Sequence, residues 1–249
     1  MPDTTPPSYI DGPSGRIAYR RVEGKGPTIV WFSGYRSDML GSKAIAVDAW
    51  ACDRGRSYVR FDYSGHGESD GVFEEGSISS WTDDARRAID ELTDGPLILL
   101  GSSMGAWIAA LIALGAPDRV AACVFLAPAP DFASKLMLPS FSAEMREALK
   151  RDGRVGIPNQ YGDEPTPVTA TFLEDGAKNC VMDGAINITA PMRIIQGTED
   201  PDVPYTHAIE FLKLLKSDDA TLTLVKGGDH RLSTPPDIDR LLATIEALE

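Results

Sequence analysis

Pro96-Leu97-Ile98-Leu99-Leu100-Gly101-Ser102-Ser103-Met104-Gly105-Ala106-Trp107 is an apolar run of strand length that ends in Gly-Ser-Ser-Met-Gly. Small residues at helical spacing follow at once, with Ala109, Ala110, Leu111, Ala113 and Leu114. The pattern predicts a buried parallel strand turning sharply into a helix. The Gly-x-Ser-x-Gly spacing puts Ser103 at the tip of that turn, as a nucleophile, while Ser102 occupies a position whose side chain points away from the tip. Glycine is needed at 101 and 105 because a side chain there would crowd the turn and the strand–helix contact. The free N–H groups and positive dipole end of the helix would favour negative charge developing beside Ser103.

Outward from this stretch, the rest of the chain keeps a strand–helix rhythm. Gly15 to Arg20 alternates like an exposed antiparallel strand, and Met1 to Ser14 reads as a lead-in. Thr28 to Phe32, Tyr58 to Tyr63, Val120 to Leu126, Met192 to Gln196 and Thr221 to Val225 are the further strands. Helical patterns run from Lys43 to Arg54, Ile78 to Leu92, Thr206 to Lys216 and Pro236 to Leu248. Strands alternating with helices predict βαβ units and a mostly parallel sheet. From about 131 to 190 the rhythm breaks, leaving one amphipathic candidate at Ala143 to Arg151. Such a length is too great for a plain connection, and a small cap or lid inserted before the strand at Met192 is expected. The 249 residues are thus read as one α/β domain with that insertion.

Composition narrows the function classes. A formal net charge of -13 repels phosphate backbones, so nucleic acid is not an expected partner. No apolar run reaches membrane-spanning length, and no secretory or Arg-rich leader is recognisable. The three cysteines, Cys52, Cys123 and Cys180, are far apart and suggest neither a disulfide framework nor a zinc site. A reducing, cytoplasmic location and a monomer or weak homo-oligomer are the resulting expectations.

A serine hydroxyl needs a base, and the base needs an orienting acid; on this architecture both follow the serine along the chain. There are three histidines. His230 follows the last strand in Gly227-Gly228-Asp229-His230 and is the expected base; His66 precedes the serine, and His207 lies near a helix start. The loop Gly197-Thr198-Glu199-Asp200-Pro201-Asp202 offers three carboxylates, with Asp200 first, Asp202 behind it and Glu199 third. Asp229 adjoins His230 and is expected to be solvated or to brace its own loop. An oxyanion hole would use the backbone N–H of Met104 and, from the loop after Thr28 to Phe32, that of Tyr35. Arg36 and Arg231 flank this site and are candidates for binding an anionic substrate.

The Ser103 turn, the Asp200 loop and His230 resemble the α/β-hydrolase superfamily over nearly the whole chain. Gly34-Tyr35-Arg36-Ser37-Asp38-Met39, Gly41-Ser42-Lys43-Ala44, Arg60-Phe61-Asp62-Tyr63-Ser64-Gly65 and Asp229-His230-Arg231 are more narrowly similar to the mitochondrial palmitoyl-protein thioesterases that also act as acyl-glucuronide esterases. The resemblance implies an α/β-hydrolase fold and a serine hydrolase of carboxylic esters or thioesters, with Ser103, Asp200 and His230 as triad. Its substrate would be a small ester or an acylated molecule, and neither metal nor organic cofactor is expected. The alternatives are a non-hydrolytic enzyme on the same fold, such as an acyltransferase or C–C hydrolase, and a non-catalytic ligand receptor.

Overall fold

The computed structural model describes residues 6–158 and 165–248. The chain opens with β1 (Ser8–Gly12), β2 (Gly15–Val22) and β3 (Lys25–Phe32), then α1 (Ser42–Arg54), β4 (Arg56–Phe61) and α2 (Ile78–Leu92). Next come β5 (Leu97–Ser102), α3 (Met104–Gly115) and β6 (Val120–Leu126). The segment expected to be a cap holds a helical turn α4 (Leu138–Ser140), α5 (Ala143–Asp152), β7 (Arg154–Ile157), β8 (Thr166–Thr169) and α6 (Ala170–Lys178). β9 (Met192–Gly197), α7 (Tyr205–Leu214), β10 (Ala220–Val225) and α8 (Pro235–Glu246) complete the order.

Eight strands form one sheet in the order β1-β2-β4-β3-β5-β6-β9-β10. The first two pairings, β1 with β2 and β2 with β4, are antiparallel, and all the others are parallel. The central strands are apolar on both faces because each face is covered. Leu97 and Leu99 of β5, Val30 and Phe32 of β3, and Cys123 and Phe125 of β6 pack with Trp81 of α2, Trp107 of α3 and Phe211 of α7. Their neighbours Ile98, Leu100, Ile29, Trp31, Val124 and Leu126 face the other way, toward Trp50 of α1 and Leu241 and Ile245 of α8. This period of two across both layers explains the unbroken apolar strings in the sequence. Each large side chain so buried contributes roughly 1.5–3 kcal/mol. In the parallel strands the carboxyl ends all lie at one edge of the sheet, and the loops leaving β3, β5, β9 and β10 carry the candidate site residues there.

Two readings are corrected. The expected lead-in contains a strand: Ser8 to Gly12 pairs with β2 through the turn at Gly12 to Gly15, while residues 1–5 lie outside the described ones. The pairing is at the sheet edge and mostly exposed, so it needs little apolar patterning. The insertion also has its own antiparallel pair, with Val155 opposite Val168 and Ile157 opposite Thr166, and a helix α6 that caps itself through Thr169. Only two residues of β8, Thr166 and Val168, are buried, and none of β7 is, which leaves a weak strand signal.

Candidate active site

Ser103 joins β5 to α3 with φ 56° and ψ −121°, a left-handed conformation that a non-glycine residue adopts only under constraint. The constraint is visible in its neighbours. The Ser103 N–H donates to the Leu126 carbonyl of β6 at 2.9 Å, and its own carbonyl accepts from Ala106 and Ala129. A Cβ at Gly105 would stand 2.0 Å from the Phe32 carbonyl oxygen, and one at Gly101 would stand 2.6 Å from Ala106 Cα. The expected need for glycine on either side of the serine follows from these distances.

Three side chains from three loops meet at the tip. Ser103 Oγ lies 2.9 Å from His230 Nε2, and His230 Nδ1 lies 2.8 Å from Asp200 Oδ2. An ionised carboxylate only accepts, so Nδ1 carries the proton and Nε2 is left to accept the serine hydroxyl. The Asp200 side chain is fully buried, and every acceptor direction is used. Oδ1 accepts the N–H groups of Asp202 and Val203 at 2.9 and 2.8 Å, and Oδ2 accepts from His230 and from Gln196 Nε2 at 2.9 Å. Burial alone would raise its pKa, but the His230 hydrogen bond and charge and the two backbone donors outweigh it, and the carboxyl lies below its ordinary range.

The loops are laced to each other. Glu199 N–H donates to the Gly228 carbonyl at 3.0 Å, and Gly227 N–H donates to Thr198 Oγ1 at 2.8 Å. Gly197 approaches so closely that an added Cβ would be 2.2 Å from the Gly228 carbonyl oxygen. Lys43 of α1 reaches over to donate to the Arg231 carbonyl and, at 3.3 Å, to Ser233 Oγ. Burial and the neighbouring Arg231 charge push the Lys43 amine down to about 8. Asp229 Oδ1 accepts the Leu232 N–H, so it does brace its own loop, as expected.

The loop after β3 lies against the serine: a Cβ on Gly34 would be 3.4 Å from Ser103 Cβ. Tyr35 follows, and Met104 is the first residue of α3, whose N–H has no intrahelical acceptor. The Tyr35 ring packs on Phe172, Phe73, Trp81 and Phe132, and its hydroxyl donates to the Pro167 carbonyl of β8 at 2.9 Å. Burial pushes that phenol well up. Arg36 is exposed, donates to the Pro165 carbonyl at 3.3 Å and lies 5.9 Å from the Phe73 ring centroid. It lines a cleft of about 760 Å³ together with His66, Asp38, Glu74 and Arg154. Arg231 does not line this cleft. Ser103, His230 and Asp200 do not line it either; Tyr35 touches two of its lining residues, Phe73 and Pro167.

His66 and His207 are structural. His66 is buried among the rings of Tyr63, Phe73 and Trp81, and burial lowers its pKa to about 4. His207 sits 2.8 Å from the Pro130 carbonyl through Nε2. Asp202 is exposed and gives Asp200 its backbone N–H. Two groups of described residues bring potential metal-ligand atoms within 4.8 Å of one another: Asp131, Cys180 and Asp183, and Asp200, Asp202 and His230. Protein hydrogen bonds account for both. Asp131 accepts from Val181 and Met182, and Asp200 and His230 are spent on each other. The sequence reading missed Gln196 and Lys43. A glutamine directly after Ile194-Ile195, in a strand the pattern buries, was the available signal for the first.

Comparisons with known proteins show the family and the fold. The profile of the Hydrolase_4 family, described as serine aminopeptidase, S33, matches residues 27–157. The rat palmitoyl-protein thioesterase ABHD10, mitochondrial, is 34% identical over 233 residues, which are 93% of this chain and 78% of the rat protein. A protein of Agrobacterium vitis S4 solved by crystallography superposes with a TM-score of 0.94 at 41% identity, covering 97% of this chain and 98% of that one. The mouse α/β hydrolase domain-containing protein 10 gives a TM-score of 0.90 at 31% identity, covering 98% of both chains. The rat relative and its counterparts in mouse, human, cattle and orangutan are mitochondrial by name, which overturns the expected cytoplasmic location. This chain is a hydrolase of the α/β-hydrolase superfamily and belongs to the family described as serine aminopeptidase, S33.

Proposed function

We propose that the protein hydrolyses carboxylic thioesters and esters through an acyl-enzyme formed on Ser103, with long-chain acyl groups carried by proteins or small molecules as the substrate class. The observation that carries the reading is the unbroken relay from Ser103 Oγ through both ring nitrogens of His230 to Asp200, at 2.9 and 2.8 Å. His230 takes the hydroxyl proton as Oγ attacks the acyl carbon. Asp200 holds the imidazole in the tautomer that leaves Nε2 free and stabilises the imidazolium that forms. The N–H groups of Tyr35 and Met104 receive the oxyanion, each such donor stabilising the transition state by about 3 kcal/mol. His230 then protonates the departing thiol or alcohol; water, deprotonated by the same imidazole, frees the acid.

The insertion between β6 and β9 acts as a cap on a single domain. Support comes from the hydrogen bond of Tyr35 to Pro167 and from Phe132 and Phe172 of the insertion, which pack on the Tyr35 ring. The relatives named palmitoyl-protein thioesterase support the same substrate class. Arg36, at the neighbouring cleft, is the proposed contact for an anionic part of a substrate; Arg231, with its carbonyl tied to Lys43, is the weaker of the two arginine candidates. Initial rates on short- to long-chain p-nitrophenyl esters, a palmitoyl thioester and an acyl glucuronide, with Ser103→Ala as blank, test the assignment. A Ser103-dependent preference for the thioester is expected. Turnover of short esters alone would remove the substrate class, and no Ser103-dependent turnover would remove the reaction.

A further inference from the structure

Gln196 is fully buried in β9, one residue before the chain leaves the sheet toward Asp200. Its Nε2 lies 2.9 Å from Asp200 Oδ2, 3.1 Å from the Val203 carbonyl and 3.2 Å from the Gly197 carbonyl, while its Oε1 is buried with no partner among the described residues. The amide orientation follows from these neighbours, because the reverse would set an oxygen against a carboxylate and two carbonyls. A methionine would fill the same space and leave no orphaned oxygen. A side chain that buries an unpaired acceptor is therefore there for what its N–H groups do.

We infer that Gln196 is a positioning residue of the relay, holding Asp200 Oδ2 toward His230 and withdrawing part of its charge. The inference rests on the proposed roles of Ser103, His230 and Asp200. Oδ2 is the oxygen that His230 Nδ1 also addresses, so two donors share it and its direction is set by both. The same Nε2 spans the turn whose Asp202 and Val203 N–H groups hold Oδ1, which ties the carboxylate plane to β9. Of the other charged groups around the pair, Glu199 and Asp202 on the Asp200 loop and Asp229 and Arg231 flanking His230 are exposed, and Lys43 of α1, half-buried behind the His230 loop, donates to the Arg231 carbonyl.

The test is the pH dependence of kcat/KM on a p-nitrophenyl ester for the full chain, Gln196→Met and Gln196→Asn, beside thermal unfolding. Without the amide, Oδ2 carries more charge, holds the imidazolium more tightly and moves the acidic limb to higher pH. Both variants should lose about tenfold in kcat/KM, a part of what general-base catalysis supplies. A merely structural glutamine would lower the unfolding midpoint and leave the limb in place, and an unmoved limb in a folded variant overturns the inference. In the unmutated protein, the Gln196 side-chain amide resonance should follow the His230 titration in the NMR spectrum; an amide that does not follow overturns the inference even where the variants fail to fold. If wild type and Ser103→Ala show equal rates, it is the assignment of the relay that has failed.

Discussion

Gly197→Ala tests how the acid and the base are brought together. The added methyl would stand 2.2 Å from the Gly228 carbonyl oxygen, 2.5 Å from its carbon and 2.7 Å from the Asp229 carbonyl oxygen. All three are backbone atoms, so no side chain can swing away. Ordinary contact begins near 3.5 Å, so the two loops must part by about 1 Å. Asp200 lies three residues after Gly197 and His230 two after Gly228, so the separation falls on the 2.8 Å hydrogen bond between them. A misplacement of this size in a catalytic constellation costs about 10²-fold in rate. Overpacking costs about 1–3 kcal/mol of stability. The expected result is a kcat loss of that order on a p-nitrophenyl ester, a smaller change in KM and a lower unfolding midpoint. Gly115→Ala is the matched control. Its nearest atom would be Arg86 Nη2 at 3.8 Å, and alanine favours a helix by about 0.5–1 kcal/mol over glycine. Wild-type kcat in Gly197→Ala would refute the claim that this close approach sets the geometry of the pair.

Three further outcomes follow. Asp200→Asn places an amide donor against either His230 and Gln196 or the N–H groups of Asp202 and Val203, so kcat should fall about 10⁴-fold in steady-state kinetics. Lys43→Met releases the Arg231 carbonyl and the loop behind His230; kcat should fall about tenfold, read on the same ester, with α1 still folded by circular dichroism. Asp62, fully buried, is pushed up to about 6 by burial, although Glu68 and Met39 backbone donors oppose the shift. Its folded pKa exceeds the unfolded one, so its contribution is complete below about pH 4 and is lost as pH rises through about 6, by about 3 kcal/mol. Urea midpoints between pH 4 and 7 should therefore show a falling component that Asp62→Asn lacks.

The parts of the fold that the sequence revealed are those whose pattern burial dictates. β5 and β6 are covered on both faces, which demands continuous apolar runs, and the crowding around Gly101 and Gly105 demands glycine on each side of Ser103. His230 could be singled out because it follows the last strand, and its Nε2 stands 2.9 Å from Ser103 Oγ. β1 and the β7–β8 pair left little trace because they are largely exposed, and exposed pairing is set by backbone partners and register. Asp200 ranked ahead of Asp202 in the sequence, and the loop's path gives the physical reason: the Asp200 carboxylate turns inward to His230, while Asp202 contributes a backbone N–H. Lys43 acts across 188 residues of sequence, on a contact that no local spacing encodes, whereas the Gln196 contact is only four residues long but depends on the turn taken by the loop that carries Asp200.

The central claim is that Ser103 is the nucleophile, and covalent capture tests it most directly. A fluorophosphonate should add once to the native chain, peptide mass mapping should locate it on Ser103, and Ser103→Ala should take up none. Absence of an adduct on the folded wild-type protein, or an adduct on Ser102 that persists in Ser103→Ala, would contradict the account.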